Sequence, residues 1–485
     1  MVNQLTQDQV NLIAAQVVNS INTPPQQSNP ALIKQTFSAP NPTSGKGVFT
    51  TINSAVEAAR TAHNRLMLMT VEKRDEIIAN IRRKMLQYGE ELAIMAHEET
   101  GLGRAEDKVL KNKLVTEKTP GTEILRPGAY TGDRGLTLIE KAPYGVIGAI
   151  TPCTNPTSTI ICNTIAMVAS GNAVVFNTHP TAKNVSIFNV ELLNQAITEV
   201  GGPQNLVTTI KEPTIESAQE LMHHKGIELL VVTGGGEVVK AAMASGKRAV
   251  CAGPGNPPVV VDESADIENA ARHIVKGGSM DNNIICVVEK EIFVVDSVAD
   301  SLLSAFPRYN AVILKPHEIE QLEKVIFSEI RGLRQPARME KELIGKNIKL
   351  ILSKIGKEVD DSIKLAVAPV ELSHPLVWTE QMMPVIPLVR MPNVDQAIDV
   401  AKEAEHGFKH TAVMHSKNLD NLSRMARVMD CSIFVKNGPS LAGLGYGGEG
   451  YCSFTIASPT GEGMTSPLSF TRERRCVLVD HFRIV

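Results

Sequence analysis

Net charge is nearly absent from this sequence: 49 lysine and arginine residues stand against 52 aspartate and glutamate, a formal balance of −3. With both signs spread along the chain there is no basic stripe to hold a polyanion, so nucleic acid is not an expected partner. An apolar run long enough to cross a bilayer is also missing, as is a basic segment followed by a short apolar one at the start. The expectation is a soluble, reduced, cytoplasmic protein with no membrane partner. Cysteine is scarce and unpatterned: Cys153, Cys162, Cys251, Cys286, Cys431, Cys452 and Cys476 are odd in number, without CxxC or Cys/His ligand spacing. That disfavours both a disulfide framework and a zinc site, and no metal is expected. No internal repeat recurs at a fixed period.

What is present is enough apolar material for large cores. The 485 residues are 43% hydrophobic, which suits two or three domains. Thr6–Ile21 carries Thr6 and Gln9 at capping-box spacing, with Val10, Ile13, Ala14, Val17 and Ile21 on one helical face. About two dozen residues rich in Pro, Gln, Ser and Asn follow, a composition that behaves as a tether. A sticky helix on a string suits a docking device, or else folds back on its own domain. Its polar face lacks the Lys and Arg that a lipid surface would attract.

After Gly47 the pattern turns helical through AVEAARTAHNRL and EKRDEIIANIRRKMLQYGEELAIMAHEET, with Gly101 as a stop. Short β-branched runs then alternate with helical segments: VIGAIT, AVVFN, LVTTI, LLVVT, Ala249–Cys251 and Val259–Val261. EIFVVD, KLILSK (Lys349–Lys354), PVIPLVRM and TAVMHS suggest a second set. Alternation of this kind predicts mostly parallel, doubly wound α/β architecture.

Three segments carry chemistry. VTGGGEVVK (Val232–Lys240) runs from a strand through three glycines into a helix, so backbone N–H groups are placed to meet a diphosphate or simply to make a tight βα turn. AGPGNPP (Ala252–Pro258) is a side-chain-poor loop suited to a wall against a ligand. SMDNNIICVVEK places Cys286 after a polar turn and directly before a strand-like run. A thiolate there is a strong nucleophile toward carbonyl carbon, while the same residue also fits a small buried hydrophobe.

Together with ITPCTNPTSTI, TEQMMPV, IFVKNGPS and SPTGEG, these segments resemble the aldehyde dehydrogenase superfamily over essentially the whole chain, and more closely its CoA-acylating branch of ethanolamine and propanediol utilisation. The resemblance implies an α/β aldehyde dehydrogenase fold with a Rossmann-like cofactor domain, an α/β catalytic domain and a small β oligomerisation arm. It makes Cys286 the nucleophile and Asn155, with Thr154 as the other candidate, an oxyanion donor beside the Cys286 N–H. Taken alone, the Asn-Pro pair would suit an Asx turn. Thr151, Pro152, Thr154, His179, Thr233, Gly234, Gly235, Gly253 and Glu380 are implied in cofactor binding. NAD is the implied cofactor and CoA the co-substrate, with Asn177 standing where hydrolytic members carry a lysine.

The implied reaction takes a short aldehyde to acyl-CoA. Hydrolytic members carry a glutamate base in the loop that here reads CAGPGNPP, which has no carboxylate. Close relatives read GAGAGNPP and TPSTNP, so Cys251, Pro254 and Cys153 are departures. His374 remains open between proton transfer, CoA binding and packing. The expected organisation is a docking helix at 1–22, a linker at 23–46 and an NAD/CoA domain at 47–262 with an oligomerisation hairpin near 131–145. A catalytic domain at 263–457 and an oligomerisation segment at 458–485 complete it. The resemblance further implies a homodimer or homotetramer, and a shell-protein partner for the N-terminal helix inside a bacterial microcompartment.

Overall fold

A computed structural model describes residues 46–485. The docking helix and all but the last residue of the linker lie outside the described residues. The helical pattern after Gly47 folds as Ile52–Leu66 and Val71–Thr100. Thr51 and Thr70 cap their starts by accepting the N–H groups of Ser54 and Lys73, and Gly101 ends the second in the left-handed region at φ 65°.

Six strands form a wholly parallel sheet in the order Val48–Phe49, Val207–Ile210, Ala173–Asn177, Val146–Ile150, Leu229–Thr233, Ala249–Ala252. The central runs are buried along their whole length, as strands covered on both faces must be. Chain order reverses between Val146–Ile150 and Leu229–Thr233, which opens a crevice at their carboxyl ends. Leaving that crevice, the helix Pro156–Ala169 is buried at all 14 positions, with Pro156 in its first turn. Its rigidity fixes Asn155, the residue at its N-terminal boundary.

Seven further strands form a second parallel sheet: Ala311–Ile313, Leu365–Pro369, Val385–Met391, Glu291–Val295, Pro258–Val261, Thr411–His415, Ile433–Lys436. A third sheet is antiparallel, with Gly135–Pro143 paired to Gly128–Gly132 on one side and Thr471–Val479 on the other. No helix among the described residues is long and apolar enough to cross a membrane.

Three expectations need correction. Lys349–Lys354 is not a strand: Ile348–Ser353 is a helix, because Ile348, Ile351 and Leu352 recur at helical spacing and are all buried. Six residues were too few to separate the two periods, and the strand of that unit is Leu365–Pro369. The boundary at 262 falls one strand late, since Pro258–Val261 sits inside the second sheet between Glu291–Val295 and Thr411–His415. Cys286 does not lead directly into a strand. Asn283 Nδ2 donates to the carbonyls of Gly278 (2.7 Å) and Glu289 (2.8 Å), holding the intervening residues as a closed turn, and the strand starts only at Glu291.

Candidate active site

A cavity of about 720 Å³ lies at the carboxyl ends of the first sheet and reaches the Cys286 turn. Loops following four of its strands contribute Thr151, Pro152, Thr154 and Asn155, then His179, then Gly234 and Gly235 beside Thr233, then Gly253. From the second sheet's side come Cys286 and Glu380. All eleven residues singled out from the sequence therefore line one space, although nothing in the sequence spacing required it.

One wall is built from backbone. The helix Gly236–Ala244 begins at Gly235 without any side-chain cap, so its first N–H groups are left for the cavity. A methyl group added at Gly235 or Gly236 would meet nothing within 4 Å. Thr151 Oγ1 and Thr178 Oγ1, both on the cavity, are buried without a hydrogen-bond partner. Free N–H groups, orphan hydroxyls and missing side chains fit a diphosphate-bearing nucleotide. Thr233 uses its hydroxyl inward, 2.9 Å from Thr455 Oγ1. His179 caps the short turn Pro180–Ala182 by accepting the Thr181 N–H.

The other wall is built from buried charge. Asp281, Asn282 and Asn283, just before the nucleophile's turn, all sit in the left-handed region at φ 49°, 53° and 64°. Asp and Asn tolerate it better than most residues, and side-chain bonds hold them there. Asp281 accepts from Lys108 (3.1 Å), from Lys111 and from the Arg104 N–H (2.7 Å). Lys111 also donates to Asn155 Oδ1 at 2.7 Å. Asn155 makes no side-chain cap to its helix, so the Asx-turn alternative is not what the structure adopts.

Burial, then the charge of Glu380, push the Cys286 thiol up to about 12, with Lys290 as the largest opposing charge. Lys290 is itself buried, donates to Asn283 Oδ1 at 2.6 Å, and is pulled down to about 8 by desolvation. Glu380 is raised by burial and accepts the Gly255 N–H at 3.4 Å. A carboxylate thus touches the carboxylate-free loop, but from another segment. Gly255 has to be glycine: a Cβ there would lie 2.5 Å from the Cys286 carbonyl oxygen and 3.1 Å from the His410 ring. His410 is buried, lowered to about 4 by desolvation, and its Nε2 has no partner.

Lys108, Lys111, Asp281, Lys290 and His410 escaped the sequence reading. A lone lysine on a polar helix looks solvated, and only the run Asp281-Asn282-Asn283 hinted at a turn. His374 lies off the cavity, where it accepts the Leu376 N–H as a helix cap and its Nε2 faces Glu323 Oε1 at 3.0 Å.

The model of the aldehyde dehydrogenase family matches residues 44–454. The chain belongs to the aldehyde dehydrogenase family. Within the family it is 50% identical to an acetaldehyde dehydrogenase (acetylating) of Bilophila wadsworthia, over 90% of this chain and 91% of that one. A crystal structure of the Rhodopseudomonas palustris propionaldehyde dehydrogenase, with bound CoA and an acylated cysteine, is 49% identical and superposes with a TM-score of 0.87, covering 90% of this chain and 98% of that one. A propionaldehyde dehydrogenase from the Clostridium phytofermentans fucose-utilisation microcompartment is 45% identical with a TM-score of 0.88, covering 90% and 100%. This aldehyde dehydrogenase shares their fold.

Proposed function

We propose that this aldehyde dehydrogenase converts a short aldehyde, acetaldehyde or propionaldehyde, and CoA to acyl-CoA, with NAD as hydride acceptor, in a reversible reaction. The observation that carries the proposal is that Cys286 opens onto the cavity of the glycine turn while the loop against it, Cys251–Pro258, bears no carboxylate. The relatives named above support it.

The wall of Thr151, Pro152, Thr154, His179, Thr233, Gly234, Gly235, Gly253 and Glu380 would hold the nucleotide, which supplies a hydride acceptor when bound. Cys286 Sγ gives up its proton and bonds to the aldehyde carbon. The carbonyl oxygen takes the electron pair as an oxyanion, held by Asn155 Nδ2 and the Cys286 N–H. Departure of hydride from that carbon restores the carbonyl and leaves a thioester on Cys286. The CoA thiolate then bonds to the acyl carbon, and Cys286 leaves as thiolate. The proton leaves toward the neutral His410, whose ring lies against Gly255 next to the Cys286 carbonyl. With no carboxylate in the loop to activate water, thiol attack outruns hydrolysis.

The test is NADH formation by the purified protein with propionaldehyde or acetaldehyde, with and without CoA. CoA-dependent turnover to acyl-CoA is expected; CoA-independent turnover to free acid would make it a hydrolytic member, and no turnover with any short aldehyde would leave a scaffold role. The same assay with NADP ranks the two nucleotides.

The helix expected at 1–22 is proposed to dock on microcompartment shell protein, a reading supported by the Clostridium relative's origin. Deleting residues 1–22 should leave kcat unchanged and abolish co-purification with shells. The three-stranded arm, with Tyr130, Val477 and Val479 exposed, supports a homodimer or homotetramer, measurable by sedimentation.

A further inference from the structure

We infer that Lys111 is a positioning residue for the reaction: clamped by Asp281, it fixes the Asn155 amide so that Nδ2 is the end presented to the cavity. The inference rests on the reading of Asn155 as oxyanion donor.

An ammonium carries three donors and no acceptor, so the amide atom 2.7 Å from Lys111 Nζ must be Oδ1. In a planar amide this assigns the other end. Nδ2 has two hydrogens and one protein acceptor, Thr154 Oγ1 at 3.2 Å, which leaves one hydrogen free on a residue that lines the cavity. Were the amide reversed, Oδ1 would face the developing oxyanion and repel it.

Lys111 has little freedom to move. It and Lys108, three residues apart on the helix Ala105–Lys118, converge on the same carboxylate oxygen of Asp281, and both are 2% exposed or less. Asp281 is fully buried and anchored by the Arg104 N–H. Gly103 makes room for it: a Cβ there would lie 1.9 Å from Asp281 Oδ1. Asp281 also opens the left-handed turn that leads to Cys286. One carboxylate therefore sets the nucleophile's turn and, through Lys111, the orientation of the donor across from it.

The test is a double-mutant cycle on the full chain with aldehyde, NAD and CoA. Lys111→Met leaves Lys108 and Asp281 as a neutral pair, and is expected to lower kcat at least about tenfold while KM for NAD stays within about twofold. Asn155→Ala is expected to lower kcat about 10²- to 10³-fold. Adding Lys111→Met to Asn155→Ala should cost less than a further factor of about two, because no amide remains to orient. Wild-type kcat in Lys111→Met, or losses that multiply in the double variant, would overturn the inference while leaving Asn155 its role. Wild-type kcat in Asn155→Ala would instead overturn the oxyanion reading and the inference with it. Should Lys111→Met not fold, Lys111→Leu, with the same charge balance and likewise no donor, enters the same cycle with the same outcomes.

Discussion

The two walls of the cavity are made of opposite materials. Around Gly235 and Gly236 the chain offers the uncapped backbone N–H groups of a helix start, with open space in place of side chains. Around Cys286 it buries charges: Asp281, Lys108, Lys111 and Lys290 are all withdrawn from water. A backbone wall tolerates small changes by filling, whereas a charge wall fails when one member is removed, because the partner is left unpaired in a medium that cannot solvate it. The first wall suits a nucleotide that must enter and leave. The second suits a nucleophile and donor whose geometry must not drift.

The sharpest break is at the nucleophile. Cys286→Ala should reduce CoA-dependent NADH formation by at least about a thousandfold, with an unchanged denaturation midpoint; comparable turnover would move the chemistry elsewhere in the cavity. Next comes the charge wall. Asp281→Asn strands the charges of Lys108 and Lys111 and should cost about 3–5 kcal/mol in chemical denaturation, a loss that a wild-type midpoint would contradict. A smaller effect is expected on the backbone wall: Gly235→Ser supplies a cap for the Gly236–Ala244 helix, takes N–H groups from the nucleotide, and should raise KM for NAD about tenfold with stability unchanged or slightly higher. An unaltered KM would detach the nucleotide from this helix.

Last is a pH dependence read by alkylation. The folded thiol of Cys286 is raised above its ordinary value, so at neutral pH it is protonated and its thiolate fraction grows about tenfold per pH unit through pH 9. Iodoacetamide labelling of Cys286, followed by peptide mapping, should rise steadily from pH 7 to 9.5. A rate that levels off near pH 7 would mean that Lys290 outweighs burial and Glu380.

This contrast also explains what the sequence could reveal. Glycine turns and the Cys286 segment are local signatures, and the resemblance arranged them in order, so the cavity's residues were legible. The Lys111–Asp281 contact joins positions 170 apart, and neither residue carries a local mark of burial. Lys108 and Lys111 share a helix with low hydrophobicity, where lysine ordinarily faces water. Fold class was readable because the buried parallel strands are short, unbroken apolar runs separated by helical segments. Ile348–Ser353 was not, since six residues of mixed apolar character satisfy either period until the neighbours that bury Ile348, Ile351 and Leu352 are known.

The small antiparallel sheet bears on how the molecule is made. Gly135–Pro143 pairs with Thr471–Val479 in continuous register, Pro143 opposite Thr471 and Gly135 opposite Val479. On the ribosome the hairpin emerges long before its third strand exists, and at ordinary elongation rates the wait is on the order of tens of seconds. During that interval its outer edge is an open template for another nascent chain. The edge stays open to pairing until Thr471–Val479 is made and covers it.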